Sequence, residues 1–197
     1  MVALREPRRG LAGLHPGNFA LVMATAILAQ DLRVQGLPRL AIALAAFAAI
    51  AYVLLLVLSL LRVILAPRAV GQDLLDPALV FGFFTLVAAT DLLGVLAMQA
   101  GVPLLAKALW AFAFLTFLTH ERNVNIVHGG WLIAIVGTQS LVVLGALLVP
   151  ELGEAARYMQ VEIHMLWGLG LCLYAIFVTL FCYRIFFLQL TPDDIGP

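Results

Sequence analysis

Long runs of apolar residues alternate along the chain with short segments that contain proline, glycine or charged side chains. A helix that crosses the hydrocarbon core of a bilayer needs about 20 mostly apolar residues. Six runs approach or exceed this length, near residues 18–30, 40–65, 78–99, 104–118, 131–149 and 161–188. The first is short and interrupted by polar residues. None shows the period-two alternation of a half-buried strand, so the pattern predicts about six transmembrane helices.

Composition leads to the same conclusion. The chain is 64% hydrophobic and 11% charged, whereas soluble domains are about 45–50% apolar and roughly 25% charged. We therefore predict an all-α integral membrane protein in a lipid bilayer. Residues 15–190 would form the membrane region, between a basic N-terminal segment (1–14) and a short C-terminal loop (191–197). The sequence contains no basic tract that would indicate binding to nucleic acid.

The distribution of basic residues favours a cytoplasmic N-terminus in the cell membrane, because cytoplasmic loops carry an excess of Lys and Arg. Six spans place both termini on one side. With the N-terminus inside, seven basic residues are cytoplasmic and four are outside. The cytoplasmic set includes Arg62 and Arg184, which lie near span ends and are interpreted as side chains that reach the interface.

Polar residues within the spans are concentrated on the odd-numbered ones. They are Asn18, Thr25, Thr85, Thr90, Asp91, Thr138, Gln139 and Ser140. Polar groups at membrane depth usually face a bundle interior or a wet cavity. We therefore predict three helical hairpins, with the odd helices around a centre and the even helices facing lipid.

Four stretches, in the same order, resemble the tellurite-resistance/dicarboxylate transporter family, which includes malate permeases and plant guard-cell slow anion channels. They are residues 15–28 (HPGNFALVMATAIL), 83–94 (FFTLVAATDLLG), 129–140 (GGWLIAIVGTQS) and 166–194, which begins LWGLG and ends TPDD. The resemblance implies a ring of five helical hairpins around a central anion pathway. It also implies a homotrimer that moves C4-dicarboxylates such as malate, inorganic anions, or anions connected with tellurite export.

The chain departs from this family pattern in length, since it has room for three of the five hairpins. We expect a truncated product, a protein completed by a separate chain, or a piece that completes its pore by oligomerising. The aromatic gate of the family's channels lies on the ninth span, so the resemblance assigns no gate residue here.

The central candidates for pore-lining groups are Asp91 and the consecutive residues Thr138, Gln139 and Ser140. Asp91 is interpreted either as a pore-facing group that handles protons or as a carboxyl with local hydrogen bonds. Hydroxyl and amide donors can replace part of an anion's hydration shell, but they equally form hydrogen bonds between helices. Three consecutive helical residues point in three directions, so at most one or two of them face a pore.

The remaining pore-lining candidates lie on spans one and three. Asn18 and Thr25 are seven residues apart and share a helix face, where they either attract anions to a helix start or serve as cap and packing residues. Thr85 completes the set. Phe81 and Phe84 would form a constriction that narrows the pore by dewetting; the alternative is that both are packing residues.

Catalytic chemistry has no support in the sequence, which contains no GxSxG, HExxH, Walker or CxxC motif. We therefore expect neither an enzyme nor a bound cofactor. One alternative function is an electron carrier with a histidine-ligated haem, which requires two of His15, His120, His128 and His164 at facing depths. Another is a fragment that inserts but does not transport.

Overall fold

The computed structural model describes residues 14–75, 79, 82–120 and 131–187, and the described part is helical throughout its regular structure. This confirms the prediction of an all-α membrane protein. Apart from Leu14, the predicted terminal segments lie outside the described residues, as do Phe81 and His128. The α-helices are α1 (Ala20–Val34), α2 (Pro38–Leu65), α3 (Pro67–Leu75), α4 (Phe83–Gln99), α5 (Pro103–His120), α6 (Trp131–Leu148) and α7 (Ala156–Phe187). A 3-10 turn, Pro16–Phe19, leads into α1.

Helix length divides five of the six predicted spans into two groups, and the first span corresponds to the 15-residue α1. Helices α2, α6 and α7 are long and apolar enough to cross a membrane, while α4 and α5 are shorter apolar helices of 17 and 18 residues. At a rise of 1.5 Å per residue, these shorter helices span about 26 Å, close to the roughly 30 Å of a hydrocarbon core. The short α3 follows α2 and belongs to the connection between hairpins.

Consecutive apolar helices pair as three hairpins, α1 with α2, α4 with α5, and α6 with α7. This confirms the predicted pairing of consecutive helices into three hairpins. The first two hairpins use the same turn, in which a glycine with positive φ (Gly36 at 79° and Gly101 at 75°) precedes the proline that begins the next helix. Only glycine adopts this left-handed conformation without strain, and proline suits the first helical turn because its missing N–H is not needed there.

The first helices of the hairpins form a parallel row, α1–α4–α6, with α4 in the middle. Near the N-terminal ends of α1 and α4, Thr85 Oγ1 lies 3.3 Å from the carbonyl oxygen of Pro16. Near their C-terminal ends, Arg33 Nη2 donates to the carbonyl oxygen of Gln99 at 3.1 Å. Helix α4 is buried along most of its length, whereas α2 and α7 leave most of their apolar side chains exposed on the outside.

Two glycines allow the row to pack closely. A Cβ on Gly82 would lie 2.8 Å from the backbone nitrogen of Gly17, so the turn before α1 sits directly on the start of α4. A Cβ on Gly94 would overlap the side chain of Leu144 on α6. Small residues at such contacts are typical of membrane helix packing, because they bring helix backbones together.

The interpretation of Arg62 as an interfacial anchor is wrong. Arg62 is only 6% exposed, and its Nη1 lies 2.6 Å from Oδ2 of Asp73 on α3. A buried guanidinium is tolerated where a carboxylate compensates its charge. The pair therefore fixes α3 against the end of α2, an arrangement that the basic residue alone could not reveal.

Candidate functional site

The centre of the helix row contains a fully buried carboxyl group. Asp91 on α4 is 0% exposed. Its Oδ2 lies 2.8 Å from the hydroxyl of Ser140 on α6, which is also 2.8 Å from the carbonyl oxygen of Gly137, so two acceptors share one hydrogen. The other oxygen, Oδ1, has no hydrogen-bond partner among the described residues. The structure thus brings two of the predicted site residues together and ties α4 to α6 through them.

A second polar contact joins α4 to α2. The hydroxyl oxygens of Thr90 and Tyr52 are 2.8 Å apart. Thr90 Oγ1 donates to the carbonyl oxygen of Leu86 at 2.7 Å, so its single hydrogen is used and Tyr52 is the donor to Thr90. Sequence reasoning missed Tyr52, although a phenol in the middle of an otherwise apolar span usually needs a polar partner.

Three predicted pore-lining threonines are instead buried and satisfied by their own helices. Thr25, Thr85 and Thr138 are 7%, 2% and 0% exposed. Their hydroxyls donate to the carbonyl oxygens of Leu21, Gly82 and Ala134 at 2.8, 2.6 and 2.8 Å. These three side chains lie on three different helices and do not converge on one site.

The predicted residues that retain exposed surface are Asn18, Gln139 and Ser140. Asn18 is exposed in the turn before α1, away from the other two. Gln139 is partly exposed, and its side-chain amide fills the space beside Gly170 on α7. On α6, Val136 and Val143 are 44% and 54% exposed, and their spacing places them on the same side of the helix as Gln139.

Phe84, a candidate for the constriction, lies in the hydrophobic core between α4, α5 and α6. It is 2% exposed, and its ring meets that of Phe117 edge to face at a centroid distance of 6.0 Å. A Cβ on Gly137 would lie 3.3 Å from the Phe84 ring. The other candidate, Phe81, is not among the described residues.

The described histidines do not form a cofactor site. His15 Nδ1 accepts from the backbone N–H of Gly17 at 2.9 Å, and His164 Nδ1 lies 2.6 Å from the carbonyl oxygen of Gln160. Both side chains are exposed. Among the described residues, no group of three or more His, Cys, Asp or Glu is arranged to hold a metal ion. His128 and the side chain of His120 lie outside the described residues, and the described His15 and His164 give the haem alternative no support.

Comparison with known families identifies the family of this chain. The sequence profile described as voltage-dependent anion channel, SLAC1, matches residues 13–197. The chain belongs to this anion channel family. No curated protein and no solved structure matches it. Membership confirms the resemblance to the tellurite-resistance/dicarboxylate transporter family, and it places the chain among channels and transporters of the membrane.

In an anion channel family, the side chains of interest are hydrogen-bond donors that can interact with an anion. Neutral amides and hydroxyls stabilise a partly dehydrated anion without the strong attraction of a full positive charge, so the anion can leave again. Gln139 supplies such an amide at the partly exposed edge of the row, whereas the single hydrogen of the Ser140 hydroxyl is already shared between Asp91 and the carbonyl oxygen of Gly137. Asp91 lies behind Ser140, where it orients the hydroxyl and holds α6 against α4.

Proposed function

We propose that this chain forms part of the wall of a pathway for small anions. The family match over residues 13–197 carries the proposal. The row α1–α4–α6 supports it, because the first helix of each hairpin lies on the inside and its partner covers the outside. The pathway follows the exposed faces of α1 and α6, with Asn18, Gln139 and Ser140 as its polar groups. Transport is passive or driven by a proton gradient, with C4-dicarboxylates such as malate and tellurite-related anions as candidate substrates.

The described helices need further partners to enclose such a pathway. Helices α1 and α6 lie on opposite sides of α4, and among the described residues they form no substantial contact with each other. The row is therefore open on its outer sides, at α1 and at α6. In our proposal other helices complete the wall, and the assembled protein is a homotrimer in the cell membrane with its N-terminus in the cytoplasm.

Anion flux into liposomes tests this function. We expect vesicles that contain the full chain to take up chloride or malate faster than empty vesicles. Gln139→Leu should lower the rate several-fold, because it removes a donor from the proposed surface. Leu54→Ala, a change on the exposed face of α2, serves as the matched control and should leave the rate unchanged. Correct insertion without flux of either anion would instead support the non-transporting alternative.

A further inference from the structure

A large groove lies between α5 and α7. Both helices pack on α6, and among the described residues they form no substantial contact with each other. The groove between them has a volume of about 1020 Å³. Cavities that hold drug-sized ligands measure about 300–1,000 Å³, so the space suits a large molecule. The described residues that line it do not belong to the proposed pathway surface, so a ligand here would be separate from the transported anion.

The lining of the groove changes from polar to apolar with increasing distance from the start of α7. Arg157, Tyr158 and Glu162 lie within the first two turns of that helix, whereas Leu169 on α7 and Phe117 on α5 are apolar. From the first to the last of these α7 residues, the helix rises about 18 Å. One leaflet contributes about 15 Å to the hydrocarbon core of a bilayer. The groove is therefore about one leaflet deep, with a polar mouth and an apolar interior.

The polar mouth of the groove lies at the membrane surface. Residues 165–183 of α7 contain no Asp, Glu, Lys or Arg, and their length of about 28 Å is enough to cross the hydrocarbon core. The first turns of α7 therefore lie at the level of the lipid headgroups. Lys107 Nζ, near the start of α5, donates to the carbonyl oxygen of Glu151 at 2.6 Å, so α5 begins at the same level. Tyr158 is 78% exposed there, as is common for tyrosine at a membrane interface.

One positive and one negative side chain at this mouth have no partner. Arg157 and Glu162 form no ion pair and no hydrogen bond with any residue that the structure describes. Arg157 is exposed, whereas Glu162 is partly buried in a groove that it shares with Leu118 and Met165. A partly buried charge is unfavourable unless a partner compensates it. A ligand that carries both a negative and a positive group would compensate both side chains at once.

We propose that this groove binds one phospholipid with an amine-bearing zwitterionic headgroup, such as phosphatidylethanolamine. The guanidinium of Arg157 donates to the phosphate, a pairing that its planar fork of N–H groups favours, and the carboxylate of Glu162 accepts from the ammonium group. An acyl chain fills the apolar interior. Because the bilayer is as apolar as the groove, the headgroup contacts decide which lipid binds. A purely anionic headgroup would leave Glu162 without a partner.

Native mass spectrometry of the full chain in detergent tests the site, because it resolves bound lipid by mass. We expect the protein to retain phosphatidylethanolamine in preference to phosphatidylglycerol with the same acyl chains. Glu162→Gln keeps the size of the side chain but removes its charge, so it should weaken the apparent affinity for phosphatidylethanolamine roughly tenfold and abolish the preference. Arg157→Gln removes the phosphate contact and should weaken the binding of both lipids.

Glu154→Gln is the matched control, because it removes an exposed carboxylate just before α7 that is not among the residues lining the groove. Its lipid preference should equal that of the unchanged protein. Equal retention of both lipids by the unchanged protein, or an unaltered preference in Glu162→Gln, would overturn the proposal. So would oligomers that retain no lipid, since a second copy of the chain would then cover the groove. Lipid binding is measured without flux, so a failure of the proposed transport function would leave this result intact, and the reverse also holds.

Discussion

Replacement of Arg62 by Met should destabilise the folded chain by about 3–5 kcal/mol, the usual cost of leaving one member of a buried ion pair without its partner. The remaining carboxylate of Asp73 is only 9% exposed, so water cannot replace the lost contact at 2.6 Å. Because the pair fixes α3 against α2, its loss frees the connection between the first two hairpins. Denaturant-dependent unfolding in detergent, followed by circular dichroism, measures the effect.

The double variant Arg62→Met with Asp73→Leu separates charge pairing from other causes. Replacing both members of a buried pair by apolar residues is often neutral. We therefore expect the double variant to recover more than half of the stability that Arg62→Met loses, while Asp73→Leu alone resembles Arg62→Met. Additive losses in the double variant would show that the pair is not the source of the stability.

Gly82→Ala should cost about 1–3 kcal/mol, the typical effect of forcing extra atoms into a well-packed site. The added Cβ would lie 2.8 Å from Gly17 N and 3.2 Å from the carbonyl carbon of Pro16. Both contacts are with backbone atoms, which cannot rotate away as a side chain can. The turn before α1 must therefore move off α4. The same unfolding measurement detects the loss.

Gly168→Ala on α7 provides the control, because an added Cβ there meets no atom within 4 Å. Alanine in an open helical position is more favourable than glycine by about 0.8–1.0 kcal/mol. The two substitutions should therefore change stability in opposite directions. If both stabilise the protein to the same extent, the close contact between the turn and α4 does not exist in the folded state.

The sequence predicts the helices and hairpins well, because the apolar runs and the glycine and proline residues between them act locally. It predicts the surroundings of individual polar residues poorly. Thr25 and Thr138 looked like pore-lining groups, yet a threonine hydroxyl can bond to its own helix, which residue type does not show. The same limit explains Arg62, since its partner Asp73 lies on a separate short helix whose position depends on tertiary packing.

The residues around Asp91 show what the sequence can predict and what depends on tertiary packing. Thr138, Gln139 and Ser140 had to point in three directions on any helix, and they do: into the core, towards α7 and towards Asp91. Which of them meets Asp91 depends on the register between α4 and α6. That register follows from close packing, such as the contact of Gly94 with Leu144, and it is not encoded in the pattern of either helix alone.

In our proposal α1 and α6 border a water-filled anion pathway while α2 faces lipid, and cysteine labelling tests this arrangement most directly. In a background with the exposed Cys172 and Cys182 replaced by alanine, single cysteines are placed at Ala24 on α1, Val143 on α6 and Ile50 on α2. All three positions are exposed. A membrane-impermeant thiol reagent should modify the first two in proteoliposomes, more slowly when chloride or nitrate is added, and should leave the third unmodified. Equal modification at all three positions, or modification at Ile50 alone, would contradict the account.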